Sequence, residues 1–386
     1  MKKITALFVF LFIILSAFSQ TPPDSCRLRI SLVTCGPGED LYSIFGHTGI
    51  RVTDSTRNTD IVFNYGTFDD SDPYFYLKFT RGIMRYSLSI WPYSAFMEEY
   101  RVEQRRVAEQ VLNLDCREKR QLFNALLINA QENNRYYNYQ FHVDNCTTRA
   151  KNMITNNKPV HFGNMLPPQH PSFRQLIHSC LNQGKQYWSK LAIDLLLGAH
   201  LDATVTNEQA MFLPDYLAKG LDSAHTDSGR LVSETVPLLT PAPKTPPASW
   251  CTPLNLFSAL LIIIAALSFI PSAQKAVYVF DRVLFLLTGL LGIVMWAVWI
   301  TRVDTVCSNN WNTLWALPTH AVMAFLLSKK RPWIRIYWII TSALLALLLM
   351  GWLWWPQQLN NDLLPLVLLL LLRSVAAIRR GSKTGL

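Results

Sequence analysis

Cys146 is the residue whose neighbours best suit a nucleophile. It follows the polar pair Asp144 and Asn145, either of which can cap a helix, and the stretch CTTRAKNMI has the composition of a helix that opens there. Unsatisfied amides and the positive dipole end at such a position favour thiolate over thiol. The same amides can stabilise the oxyanion that forms when sulfur attacks a carbonyl. The sulfur still needs a partner that moves protons. His47 lies in FGHTG, where Gly46 has no side chain and another element can approach the imidazole. Cys with His is the minimum set for covalent acyl chemistry. With seven Cys and eight His in the chain, the competing reading is a buried or disulfide-bonded Cys146 and a strand histidine held by one hydrogen bond.

The elements that must position this pair read as α+β. RLRISLVTC is strand-like and ends in the turn material GPGED. FGHTGIRV and DIVFNYGTF flank the polar stretch TDSTRNT and suit adjacent antiparallel strands. SAFMEEYRVEQ reads as a short helix, RVAEQVLNL as a strand, and CREKRQLFNALLINAQEN as an amphipathic helix with Leu122, Leu126 and Ile128 on its apolar side. These features place a catalytic domain at 20–155. From 156 to 230, short helices separated by Pro167, Pro168 and Pro171 suggest a helical extension of it. LAIDLLLGA within that region is too short to span a bilayer and carries Asp194, so burial or interfacial contact is expected. Residues 231–252 are Pro-rich and read as a semi-rigid tether.

The remainder is different in kind. Half of the 386 residues are apolar and 16% are charged, which excludes intrinsic disorder, and the apolar excess is concentrated after Leu254. Five segments have the length and composition of spans: Pro253–Ile270, Val277–Ile300, Trp311–Ser328, Trp333–Trp355 and Asp362–Ile378. They define an all-α five-helix transmembrane domain at 253–380. Residues 1–19 have Lys2 and Lys3, an apolar run and small residues at Ala17 and Ser19, the layout of a secretory signal peptide. Lys275, the cluster Lys329, Lys330 and Arg331, and the tail Arg379, Arg380 and Lys383 then all fall on the inner side, as the positive-inside rule requires. The 36 basic against 26 acidic residues are therefore assigned to topology and lipid contact, with no nucleic acid expected. The head faces an oxidising compartment, and seven Cys leave at least one thiol free; which of them pair is open. In the third apolar run and the loop before it, Asp304, Asn309, Asn310, Asn312 and His320 are unusual for a passive anchor. Residues such as His161, His170 and His178 lack tight ligand spacing, so no metal and no cofactor is expected.

The order His then Cys, with Gly46-His47 in a strand and Asn145-Cys146 opening a helix, resembles the permuted papain-like (NlpC/P60-like) superfamily, whose permuted branch includes lecithin:retinol acyltransferase. FGHTGIRV, VFNYGTF, EYRVEQRRVAEQVLNL, ENNRYYNYQF and DNCTTR more closely resemble the Lnb family, lipoprotein N-acyltransferases with an N-terminal periplasmic domain and a five-helix membrane region. The resemblance implies Cys146 as nucleophile and His47 as general base and acid. It also implies a polar residue on the neighbouring strand that orients the imidazole: Asn64 first, Asp60 second, with strand register deciding between them. Asp144 and Asn145 are caps under this reading, and Asn145 is also a candidate oxyanion donor.

The implied activity is transfer of an acyl chain from a membrane phospholipid, through a Cys146 thioester, to the N-terminal amine of a diacylglyceryl-Cys lipoprotein. The implied location is the bacterial inner membrane, with the catalytic domain in the periplasm. Two other classes fit the same residues: a cell-wall amidase or peptidase whose spans are only an anchor, and a non-enzymatic membrane assembly factor.

Overall fold

The computed structural model describes residues 26–68, 73–242 and 249–382; the expected leader at 1–19 and Lys383 lie outside them. Strands β1 (Leu28–Cys35), β2 (His47–Asp54) and β3 (Thr59–Phe68) pair antiparallel in succession. The short helix α1 (Phe75–Thr80) joins β3 to β4 (Arg85–Pro92), and α2 (Tyr93–Val102) follows at once. Strand β5 (Val107–Leu112) returns to the other edge of β1. After it come α3 (Cys116–Asn129), the three-residue β6 (Tyr136–Asn138) and α4 (Cys146–Asn157). Helices α5 (Phe173–Gln183), α6 (Tyr187–Leu196), α7 (Asn207–Ala210) and α8 (Pro214–Asp222) make up the expected helical extension. A hairpin of β7 (His225–Thr226) and β8 (Gly229–Arg230) leads into β9 (Val232–Leu239).

Among the described residues the main sheet has seven strands in the order β6-β4-β3-β2-β1-β5-β9, every neighbouring pair antiparallel. Strand β1 lies inside it, and Ile30, Leu32, Val33 and Cys35 are fully buried on its two faces. On one face α3, α4 and α8 bring Leu122, Leu126, Ala150, Ile154, Leu217 and Leu221 against Ile30, Leu32, Ile50 and Phe63. On the other face α2 brings Phe96, Met97 and Tyr100 against Val33, Val62 and Val107. Each such buried Leu, Ile or Phe contributes roughly 1.5–3 kcal/mol.

One expectation is corrected here. The tether assigned to 231–252 begins with β9, an edge strand paired to β5 from Leu112↔Val232 to Val107↔Leu239. Pro237, one of the prolines behind that reading, is tolerated because an edge strand has one side with no ladder to donate to. The expected five spans are met in part: among the described residues three helical stretches are long and apolar enough to cross a membrane, Pro271–Thr301, Pro332–Met350 and Asn361–Arg380. A fourth apolar helix, α9 (Pro253–Leu267), has 15 residues, a rise of about 22 Å against a hydrocarbon core of about 30 Å. The stretch expected to be the third span is divided into a 3-10 turn, Trp311–Leu314, and the seven-residue helix α11 (His320–Leu326). Pro318 between them cannot donate the hydrogen bond that a continuous helix needs. The other helices of this domain are α10 (Gln274–Thr301), which packs against α11, α12 (Pro332–Met350) and α13 (Leu364–Ser382).

The head is clamped to this helical domain through α6. Leu191 and Leu195 pack into the apolar cluster of the membrane helices. Asn310 Nδ2 donates to Leu195 O at 2.7 Å, Gln357 Nε2 to Leu197 O at 2.9 Å, and Gly198 N to Val306 O at 2.8 Å. At the centre lies the buried Asp194 carboxylate, which accepts from Arg174 Nη1 (2.8 Å), His178 Nε2 (2.8 Å) and Asn360 Nδ2 (2.9 Å). Burial alone would raise that carboxyl; His178 and Arg174 outweigh it and hold it below the usual carboxylate range. Arg174, fully buried, also donates to Asp202 and to the Leu197 and Gly198 carbonyls.

Removing the carboxylate should therefore leave the buried Arg174 guanidinium with Asp202 alone, and the donors on His178 and Asn360 without their acceptor. Asp194→Ala is expected to destabilise the protein by about 3–5 kcal/mol. Arg106→Ala, which removes an exposed pair with Asp215, should move the unfolding midpoint little. Thermal or denaturant unfolding of the full chain in detergent checks the contrast.

Candidate active site

Two glycines create the space in which His47 meets Cys146. Gly46, with φ of +81°, turns the chain into β2 so tightly that a Cβ would lie 2.7 Å from the Cys35 carbonyl oxygen. Gly66, with φ of +96°, falls where the β3–β4 register shifts between Tyr65 and Thr67, a bulge that opens the sheet locally. A Cβ at Gly66 would sit 3.7 Å from both the Cys146 Cβ and the His47 Cε1. Sulfur and imidazole thus converge beside a position with no side chain.

The β2–β3 register places Gly49 opposite Asn64 and Thr53 opposite Asp60, so Asn64 and Asp60 share a face of the sheet with His47. Distance separates them. His47 Nε2 donates to Asn64 Oδ1 at 2.6 Å. Asp60, four residues and roughly 13 Å further along the strand, instead takes both forks of Arg51 at 2.8 and 2.7 Å. Of the two orienting residues expected, Asn64 has the contact and Asp60 does not. With Nε2 engaged, the other ring nitrogen is left for the hydrogen bond that His47 shares with the Cys146 sulfur.

Cys146 is the first residue of α4, and Asn145 is its cap. The Asn145 Oδ1 accepts from the Thr147 and Thr148 amides, both at 2.9 Å, while Thr148 Oγ1 accepts from the Asn145 amide at 2.8 Å, completing a capping box. Both hydrogens of the Asn145 amide are engaged as well, by Phe141 O at 2.7 Å and Phe212 O at 2.8 Å. Asn145 therefore holds the helix start in place and has no hydrogen directed at the sulfur. Asp144 is not the cap; it forms a two-pronged pair with Arg149 at 2.6 and 2.7 Å.

The electrostatics single out one thiol. Burial would raise Cys146, but the charge and hydrogen bond of His47 outweigh it, helped by the Thr147 hydroxyl at 3.7 Å and the Thr48 amide, and the thiol lies below its ordinary value. Burial would lower His47, and the Cys146 charge with the Asn64 bond raises it above the ordinary imidazole. Each group thus shifts the other toward its charged form, in the direction of a thiolate–imidazolium pair. By contrast, burial pushes Cys35 up to about 12 and Cys180 up to about 11.

The membrane-side candidates lie elsewhere. Asp304 pairs with Arg302 at 2.6 Å, Asn309 Nδ2 contacts His200 Nε2 at 3.3 Å, and Asn312 Nδ2 donates to Asp194 O at 2.9 Å. Asn309 and Asn312 thus belong to the clamp. His320 is buried among the helices, with Nδ1 2.6 Å from the Tyr337 hydroxyl. None of these contacts reaches the dyad. Among the described residues no group of three or more His, Cys, Asp or Glu side chains is arranged to hold a metal ion. What sequence reasoning missed is an aromatic wall. Tyr86 and Tyr139 pack in one cluster with Cys146, their rings 4.4 Å apart, and Phe68 stacks on Tyr86 at 5.0 Å. The aromatic run from Tyr136 to Phe141 was the available signal.

Comparison with known families gives two matches. Residues 18–178 match the Lnb N-terminal periplasmic domain, and residues 245–384 match the Lnb transmembrane domain. No curated protein and no solved structure matches the chain.

The charge pair has a measurable signature. Alkylation of Cys146 by iodoacetamide should persist well below the pH at which an ordinary thiol stops reacting. His47→Ala removes the group that lowers the thiol and leaves burial, which raises it, so the midpoint should move above the ordinary thiol value. Asn64→Ala, which weakens the imidazolium, should move it the same way by less. A wild-type profile coinciding with that of a free thiol would contradict the pair.

Proposed function

Because this chain belongs to the Lnb family, we propose that it is a membrane-bound thiol acyltransferase that completes the N-acylation of lipoproteins. The observation that carries the reading is the hydrogen-bonded line from Asn64 through His47 to Cys146 at the start of α4. In the first half-reaction the Cys146 thiolate attacks the ester carbonyl of a phospholipid. The helix dipole and the Cys146 amide, which the Asn145 cap leaves uncovered while it holds those of Thr147 and Thr148, face the developing oxyanion. The C–O bond breaks, His47 gives its proton to the departing lysophospholipid oxygen, and the acyl group remains on sulfur as a thioester.

In the second half the amine of a diacylglyceryl-Cys attacks that thioester. His47 takes the amine proton, the C–S bond breaks, and the amide product leaves a thiolate beside an imidazolium. No electrons are exchanged with a cofactor in either half. Asn64 keeps the imidazole oriented throughout, and the permuted papain-like fold is the arrangement of strands and helix that this geometry fits best.

The clamp between head and helical domain favours lipid transfer over wall-peptide hydrolysis. A hydrolase of soluble peptides needs only an anchor, whereas here α6 is held by side chains of two loops of the helical domain. Both substrates of the transferase would be confined to one leaflet, which raises their effective concentration at a head fixed above it. We place the protein in the bacterial inner membrane with the head in the periplasm.

Cys146→Ala should leave lipoproteins diacylated, with a free N-terminal amine, in intact-mass spectra of their N-terminal peptides. His47→Ala should slow transfer by roughly 10²–10⁴-fold. In the wild-type protein a hydroxylamine-labile fatty-acyl mass is expected on the peptide containing Cys146. Unchanged N-acylation in the Cys146→Ala strain would end the proposal.

A further inference from the structure

We propose that the segment Pro73–Thr80, ahead of β4, docks into the head-facing leaflet of the bilayer. Apolar side chains here face outward: Tyr74 is 63%, Leu77 58% and Phe79 47% exposed. Exposed Lys78 and Arg81 stand beside them, the mixture of rings, aliphatic groups and cations that suits a lipid interface with its phosphates.

The depth of the segment is set by its neighbour. Arg302, the first residue after α10, donates from Nη1 to the Phe79 and Thr80 carbonyls at 3.2 and 3.3 Å, and Val303 N donates to Arg81 O at 3.0 Å. Asp304 fixes the Arg302 guanidinium at 2.8 and 2.6 Å. Trp296 and Trp299 stack at 4.9 Å in the last turns of α10, the position at which indole rings mark a membrane surface. From Trp299 to Arg302 the helix rises only about 4.5 Å. The carbonyls that Arg302 grips, and the apolar side chains around them, thus sit at the level of the interface. Ile300 and Val303, on either side of the grip, are themselves exposed.

The end of β3 that precedes the docked segment in the chain is close to the sulfur. Strand β3 runs from Gly66, beside the dyad, to Phe68, a rise of about 7 Å. Phe68, 42% exposed, stacks on Tyr86, and Tyr86 leads to Tyr139 and Cys146. That series of rings is an apolar path along which an acyl chain can leave the leaflet and reach the nucleophile. The path rests on the acyltransferase reading; the docking rests on geometry alone.

The test uses the full chain in nanodiscs of phosphatidylethanolamine and phosphatidylglycerol, with p-benzoylphenylalanine in place of Leu77. Illumination should give a phospholipid adduct by mass spectrometry. The same amino acid in place of Arg57, in the turn at the opposite end of β3, a strand about 30 Å long by its rise, should give none. A Leu77 adduct to a second protein chain, or lipid labelling no stronger than at Arg57, overturns the proposal. Leu77→Asp combined with Phe79→Asp should lower N-acylation at least tenfold while the alkylation rate of Cys146 stays unchanged; unaltered transfer would refute the path. Lipid adducts from a wild-type protein that transfers no acyl group would sink the acyltransferase reading and leave the docking intact.

Discussion

One interaction organises the head: an imidazole that charges a sulfur while a neighbouring strand holds the imidazole. Each partner is partly buried, and burial opposes both charges; each group offsets that cost for the other. The requirement fixes the start of β2, the bulge in β3 and the first turn of α4 relative to one another, and it explains why elements on opposite faces of the sheet converge at its end. Thr48 Oγ1 and Thr147 Oγ1, buried and 3.1 Å apart, fasten β2 to α4 one residue beyond the reacting pair.

Much of that arrangement was legible in the sequence. Polar capping before Cys146 and glycine before His47 are local signals that name two of the side chains that meet in space; Asn64 came from the resemblance to papain-like enzymes, with Asp60 as the alternative until strand position decided between them. The bulge at Gly66 was not legible: a glycine in VFNYGTF reads as part of a strand, and only the pairing with β4 shows the shifted register. The role of Asn145 was half legible. Its capping oxygen follows from position, but the engagement of its amide by Phe212 depends on a residue far along the chain.

At coarser scale the head was read as α+β with a helical addition, and the sheet and helices agree. Composition misled where it outweighed pattern. Prolines around β9 concealed the strand formed by VSETV, and summed hydropathy from Trp311 to Ser328 concealed the break at Pro318. The clamp was illegible for a different reason. Asp194 stood out as a carboxylate in an apolar stretch expected to be buried or interfacial, but its partner Arg174 lies twenty residues away, and only the packing of α5 on α6 and on two distant loops turns them into a buried pair.

The clamp has a further consequence. A head on a swinging tether would sample a range of altitudes above the lipid. A head bolted through α6 cannot, so the elevation of the sulfur is a constant of the molecule. For the transferase proposed above, selectivity for an amine tied to the bilayer by its own first residue would then need no recognition of the protein behind that residue: a terminus riding at the wrong height would be out of reach.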